Sequence, residues 1–424
     1  MIPTRWPFFY GWVIVGVAFL GSGIGSGVAI WGASVFVIPM TEELGWSRTA
    51  FFAAFTVRVV LGGLSAPLLG PLFDTRHGPR VLALFGAVVL AVSMGLLRYT
   101  DHLWQFILLY GVAGAVADAG SGFWVSQSIV PKWFVRKRGR ALGIATMGVG
   151  LGALVFPGSV SALVDAFGWR DAWLYFGLVA GALSFLLALF VRTRPEDVGL
   201  LPDGDKGPSE REARPAAASG QTRVVEEQSL TRREALRTPA FWMLLASFGF
   251  IGLGIMGFQA NWLPYLLGSG FSSNEAAAGI AIYGALSGLS RPLWGLSGER
   301  IAPRYLLAVS AVITAFSILL FLNVRSVPAL SGYMVLAGVF MGGYLILRAL
   351  LTADYFGRTH IGAVNGAFRP IEMGTSALSP LLFGVLYDIN GNYTIAFIVA
   401  GVGWFLAGAI VLLAKPPLTR VRLE

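Results

Sequence analysis

Gly70-Pro-Leu-Phe-Asp74-Thr-Arg-His-Gly-Pro-Arg80 and Gly295-Leu-Ser-Gly-Glu299-Arg-Ile-Ala-Pro-Arg304 are two short polar turns about 225 positions apart, each set between long apolar stretches. Each holds one carboxylate, a proline and a closing arginine. The echo extends around them: Trp133-Phe134 before Gly143 answers Tyr355-Phe356 before Gly366, and Gly168 of FGWR answers Gly391 of INGN. The chain reads as one half written twice, the arrangement by which many membrane carriers place a binding site at the interface of two repeats.

The solvent of this chain is lipid. Of its 424 residues 56% are hydrophobic and 12% charged, with a mean hydropathy of +0.71, which leaves too little polar surface to cover a water-soluble globule. Twelve apolar runs are expected near 11–38, 49–71, 81–98, 103–130, 140–166, 171–191, 239–267, 274–297, 304–322, 327–352, 361–388 and 393–414. Runs this long suit helices, whereas a barrel would show short alternating strands. The expected fold is therefore all-α, with a six-helix half over 1–191, a cytoplasmic linker over 192–238 and a second six-helix half over 239–424.

The net charge of +9 calls for no nucleic acid, because of where the charges lie. Lys132, Arg136, Lys137, Arg138, Arg140 and most other Lys and Arg residues fall on one side of the expected spans, which places both termini in the cytoplasm. The chain holds no cysteine, which excludes thiolate metal sites and disulfides. The opening MIPTRWPFFYGW leads into an apolar run too long for a signal-peptide core and is expected to be retained as the first helix. In the linker, Asp205 to Thr222 has the composition of a disordered tether, while Thr231-Arg-Arg-Glu234 has capping-box spacing ahead of a short helix.

Other motifs carry no chemistry. Gly252-Leu-Gly254-Ile-Met-Gly257 fits a dinucleotide pattern but lies inside an apolar run with no strand before it. His77, His102 and His360 are far apart at span edges, so neither a metal nor a cofactor is expected, and no enzyme motif is present.

The paired turns resemble the motif that recurs in both halves of the major facilitator superfamily. Tyr10-Gly11-Trp12, Gly45-Trp46-Ser47-Arg48, Lys132-Trp133-Phe134 with Arg138-Gly139, and Pro195-Glu196-Asp197-Val198-Gly199-Leu200 look more narrowly like its monocarboxylate transporter branch, including the prokaryotic oxalate/formate-antiporter-like relatives. The first turn has one extra residue between Asp74 and Gly78, and the second carries Glu299 where aspartate is usual. A carboxylate at a helix end can pair in one conformation and part in another, which makes Asp74, Arg80, Glu299 and Arg304 candidate gating residues.

Charges within the apolar runs cost roughly 2.5–3.5 kcal/mol each and call for a partner or a function. They are Arg58, Asp118, Arg291, Arg348, Arg369 and Glu372. Arg291 stands ~12 Å from the end of its run at about 1.5 Å per residue, and the resemblance implies that an arginine followed by proline there binds a substrate carboxylate. Tyr283, Asn261, Tyr344 and Asn365 are the candidate hydrogen-bonding groups around it. Asp118 and Glu372 are the candidate proton carriers. Arg58 is the expected partner of Asp118 and Arg369 that of Glu372, while Arg348 is expected to snorkel or to pair with Asp354. Proton-coupled members of the branch carry a lysine and an aspartate at positions that match Ile30 and Ser287 here, so their relay does not transfer.

These readings lead to a monomeric, multi-pass carrier of the inner membrane. It would move a small monocarboxylate such as lactate or pyruvate together with a proton. The alternative is a dicarboxylate or oxalate/formate-type exchanger with Arg369 as second anchor; a non-transporting membrane sensor is the remote one.

Overall fold

The computed structural model describes residues 8–120, 122–205 and 229–417. Beyond Asp205, the stretch read as a disordered tether lies outside the described residues. The described residues form helices joined by short turns, with no strand among them. In chain order the long helices are α1 (Gly11–Leu44), α2 (Arg48–Leu69), α3 (Gly78–Leu96), α4 (Leu103–Trp133), α5 (Arg138–Phe190), α6 (Pro239–Ala260), α7 (Ser273–Arg300), α8 (Pro303–Phe321), α9 (Val327–Phe356), α10 (Ile361–Asn390) and α11 (Thr394–Leu413).

The helix ends follow local chemistry. The Ser47 hydroxyl accepts from the Ala50 amide at 3.1 Å to start α2, and Ser272 with Glu275 forms a capping box on α7. Thr231 and Glu234 form the same box ahead of the short Arg232–Leu236 helix. There the Thr231 amide and hydroxyl hold the Glu234 carboxyl below its usual range. Two of the runs read from the sequence join end to end in α5, at Gly168, whose φ of 76° with extended ψ only glycine adopts without strain.

Two helices are not regular. α1 passes through a π turn at Gly27–Trp31 and a 3-10 turn at Ala33–Phe36. α4 holds π turns at Ile107–Ala113 and Val125–Ile129, with a turn at Ala119–Gly120 between them. Close packing accompanies the break: a Cβ on Gly120 would overlap the Leu82 carbonyl of α3, and one on Gly122 the backbone of Gly21 in α1.

Among the described residues nine helices are long and apolar enough to cross a membrane. α7 and α10 fall short of that measure because they carry Arg291, Arg369, Glu372 and many small polar residues, the composition of helices that face one another or water rather than lipid.

The helices close tightly at the end that bears the two polar turns. There Gly139 of α5 lies against Gly295 of α7, and Gly70 after α2 against Gly362 of α10, so close that a Cβ on either would meet the opposing carbonyl. The apolar core at this end is continuous from Tyr10, Trp133 and Phe134 into Phe241, Phe356 and Phe368. Towards the other end, a separate cluster of Phe36, Phe51, Phe106, Tyr110 and Trp173 belongs to residues 24–180 alone, and Gly158 and Gly284 face open space. Arg170 ties that far end of the first stretch together, reaching the carbonyls of Arg98 at 3.0 Å and Thr100 at 3.1 Å, Asp101 at 2.9 Å and Glu43 at 3.2 Å.

Candidate functional site

Each polar turn at the closed end sends its carboxylate across to the N-terminus of a helix in the other stretch of chain. Asp74 accepts from the amides of Gly362 at 3.0 Å and Ala363 at 2.8 Å, the first turn of α10. Glu299 accepts from the Arg140 amide at 2.9 Å in the first turn of α5, and its second oxygen lies 3.1 Å from the Arg140 guanidinium. A helix N-terminus carries unpaired amides and a partial positive charge, so both contacts are favourable only while the ends stay together. Lys132, almost fully buried, holds Asp74 at 2.7 Å. Arg80 and Arg304 make no ion pair with either carboxylate among the described residues, and the Nε of each is buried without a hydrogen-bond partner. The partners of the two acids are thus Lys132, Arg140 and two helix ends, groups outside the turns that spacing within a turn cannot reveal.

Deeper in the bundle the intramembrane charges separate into three sets. Arg58 of α2 and Asp118 of α4 form a two-pronged pair, 2.7 Å at both contacts, with the guanidinium 5.0 Å from the Tyr110 ring. Gly114 leaves room for that guanidinium, since a Cβ there would sit 3.2 Å from it. The pair borders a narrow cavity of ≈ 40 Å³ among α1, α3, α4 and the end of α5.

Glu372 of α10 is held by both prongs of Arg348 of α9, one at 2.9 Å, and Arg369 approaches the same carboxylate only to 3.9 Å. This corrects the sequence reading at two points. Arg348 is buried and neither snorkels nor meets Asp354, which lies 3.6 Å from Arg138 instead. Arg369 is not the main partner of Glu372; its guanidinium lies 4.4 Å over the Phe123 ring and 5.6 Å over Trp124 of α4. Arg348 and Glu372 are 24 residues apart on different helices, beyond the reach of any pattern along one helix.

Arg291 of α7 stands apart. It is 5% exposed, donates one Nη to the Thr146 carbonyl of α5, and keeps a buried Nε without a hydrogen-bond partner. Among the described residues it has no carboxylate. Helix packing brings it to the interface: a Cβ on Gly143 would meet Pro292 at 2.7 Å, so only glycine lets α5 approach α7 here. Tyr283 and Ser287 lie two turns and one turn before it on the same helical face.

The expected polar groups divide. Tyr283 receives a hydrogen bond from Gln259 of α6 at 2.6 Å, and Gln259 is a residue the sequence reading passed over. Asn261 spends its amide on the Gly257 carbonyl one turn back, at 2.7 Å. Tyr344 lies among Phe248 and Trp404, with ring centroids at 6.2 and 6.1 Å. Asn365 donates to the Gln127 carbonyl of α4 at 3.0 Å and accepts from Arg348 at 3.3 Å. Tyr283, Ser287 and Arg291 thus form one face, and Tyr344, Asn365, Arg348, Glu372 and Arg369 another. Counting from the closed end at about 1.5 Å per residue, Arg291 and Arg369 both lie ~12 Å deep.

Residues 11–279 and 251–423 match the Major Facilitator Superfamily. The oxalate:formate antiporter of Oxalobacter formigenes is 27% identical over 389 residues, 91% of this chain and 87% of that protein. Monocarboxylate transporter 12 of Xenopus laevis is 28% identical over 379 residues, 83% of this chain and 77% of that one. In three dimensions the chain resembles the human organic anion transporter MFSD10, with a TM-score of 0.70 at 18% identity, covering 95% of this chain and 99% of that one. The proton:xylose symporter XylE gives 0.68 at 16% identity, with 96% and 94% covered.

Proposed function

The chain belongs to the Major Facilitator Superfamily, and we propose that it carries small carboxylates across the inner membrane by alternating access, with the substrate carboxylate held by Arg291. In this reading twelve spans form two six-helix halves, 1–191 and 239–424, joined by the 192–238 linker. Both termini and the closed end face the cytoplasm, and the working unit is a monomer. The structure then represents the outward-facing state.

The observation that carries the proposal is the isolation of Arg291. A buried guanidinium with an unused Nε and no carboxylate is costly to keep, and a small organic anion entering from the open side would supply the missing charge with bidentate geometry. That the matched relatives are named for oxalate, formate and monocarboxylates agrees with such a substrate.

Charge also bears on coupling. Among the described residues, three arginines, Arg291, Arg348 and Arg369, stand against Glu372, a net of +2 for these four side chains at the base of the pathway. Protonating Glu372 to accompany a monocarboxylate would leave that charge at +2, whereas a dicarboxylate clamped between Arg291 and Arg369 would cancel it. An empty carrier at +2 resists burial in an occluded state, and a filled one does not. This supports exchange of anions, with a dicarboxylate bridging the two arginines, over the proton symport read from the sequence. Symport of a monocarboxylate is the second reading, favoured by the part-exposed Asp118 at mid-depth.

Proteoliposomes loaded with oxalate or L-lactate and given the labelled anion outside test the proposal. Uptake should require internal anion, be indifferent to a proton gradient, and vanish in Arg291→Ala. Uptake that follows the proton gradient with empty vesicles would return the account to symport, and uptake unchanged in Arg291→Ala would remove the anchor.

A further inference from the structure

One short stretch of α4, Phe123 to Gln127, is gripped from the other half at both ends, and none of the roles given above uses it. At one end the Arg369 guanidinium rests on the Phe123 and Trp124 rings. At the other, Arg348 donates to Gln127 Oε1 at 3.3 Å and Asn365 to the Gln127 carbonyl at 3.0 Å. These bonds cross between the halves at a depth between the Asp74 and Glu299 contacts and Arg291. Gln127 itself is 2% exposed, its Nε2 has no partner, and it lies in a π turn whose carbonyls are out of α-helical register.

We propose that Gln127 is a positioning residue of the transport cycle: it locks the cytoplasmic half of the pathway by holding Arg348 and Asn365, and an anion bound at Arg369 releases the lock. The proposal rests on the carrier reading.

The chemistry runs through Glu372. In the empty state this carboxylate is shared unequally, held by Arg348 and tugged by Arg369 one turn away. An anion at Arg369 draws that guanidinium off the aromatic faces and ends its pull on Glu372. Glu372 then belongs to Arg348 alone, whose charge is satisfied within its own half. The 3.3 Å bonds to the neutral amide oxygens of Gln127 and Asn365 are then the weakest hydrogen bonds left to Arg348; Asn365 moves with its own half, so the bond to Gln127, which crosses between the halves, gives way first. Phe123 and Trp124, no longer under the cation, are free to move with the π turn.

The absence of cysteine allows a direct test, since spin labels can be placed at Val135→Cys and Ile301→Cys, exposed residues on opposite sides of the closed end, without a background. In anion-free proteoliposomes Gln127→Ala should move the distance distribution to longer values, and in vesicles loaded with labelled oxalate it should allow several-fold faster efflux into anion-free medium. Gln127→Glu, which sets a carboxylate against Arg348, should hold the short distance even with saturating oxalate and slow exchange several-fold. A merely structural role for Gln127 would not give opposite signs. Distances and rates matching wild type in both variants, or displaced in the same direction, would overturn the proposal. If the distances shift oppositely while wild type exchanges no carboxylate, the lock stands and the substrate reading falls.

Discussion

At the level of single residues, burial decides which half of each ion pair matters. Arg58 is 2% exposed and Asp118 34%, so removing the acid strands a buried cation while removing the arginine leaves a carboxylate that water can reach. Asp118→Ala should cost roughly 3–5 kcal/mol, the penalty for breaking a buried pair, and Arg58→Ala clearly less. Thermal unfolding in detergent measures the order, and a larger loss for Arg58→Ala would mean that the acid, too, is cut off from water. The positions of the intramembrane charges were plain in the sequence, because each interrupts an apolar run. The sequence pairs Arg58 with Asp118, which the structure joins at 2.7 Å, and Arg369 with Glu372, which approach only to 3.9 Å; it misses the partner of Arg348. Arg348 chose Glu372 over Asp354 because packing of α9 on α10, not proximity along the chain, sets the distance. In α4 each π turn adds a residue to the winding and rotates the face that follows, so a 3.6-residue period could not have brought Gln127 to Arg348.

At the level of helices, two carboxylates close one end of the molecule, and they are not equivalent. Asp74 faces the buried Lys132 as well as two amides of α10, whereas Glu299 faces Arg140, which is 47% exposed. Asp74→Asn should therefore loosen the closed end more than Glu299→Gln, which gives up a part-buried charge at a helix terminus worth up to ~2 kcal/mol. The spin-label distance between Val135→Cys and Ile301→Cys reports both; equal shifts would show that Lys132 adds nothing to the closure. Packing offers a sharper lever. Gly139→Ala would drive a methyl group into the Gly295 carbonyl and should wedge this end apart, while Gly158→Ala, with nothing near it, should leave the distances alone. The helices themselves were legible as apolar runs, and the Gly168 junction falls between two of them. The reach of each acid to a helix N-terminus was not, since the repeat marks the turn without saying what lies opposite.

For the whole molecule, the contrast between its ends joins the charges to a cycle. The core runs unbroken across the closed end and splits at the other, and between the two ends Arg291 keeps its unused Nε. The fold and branch were legible because the paired turns and the scattered motifs each sit at a fixed place in a repeat. The convergence of charges was not, because it depends on the packing of α7, α9 and α10 rather than on position along any one of them. The central claim is that Arg291 awaits an anion. Calorimetric titration of the purified carrier with oxalate and with L-lactate, in wild type and Arg291→Gln, tests it most directly. The account predicts saturable binding in wild type that weakens at least about 30-fold in the variant, the lower end of the ~2–5 kcal/mol lost when a buried charge partner is removed. Equal affinity in the two proteins would contradict it.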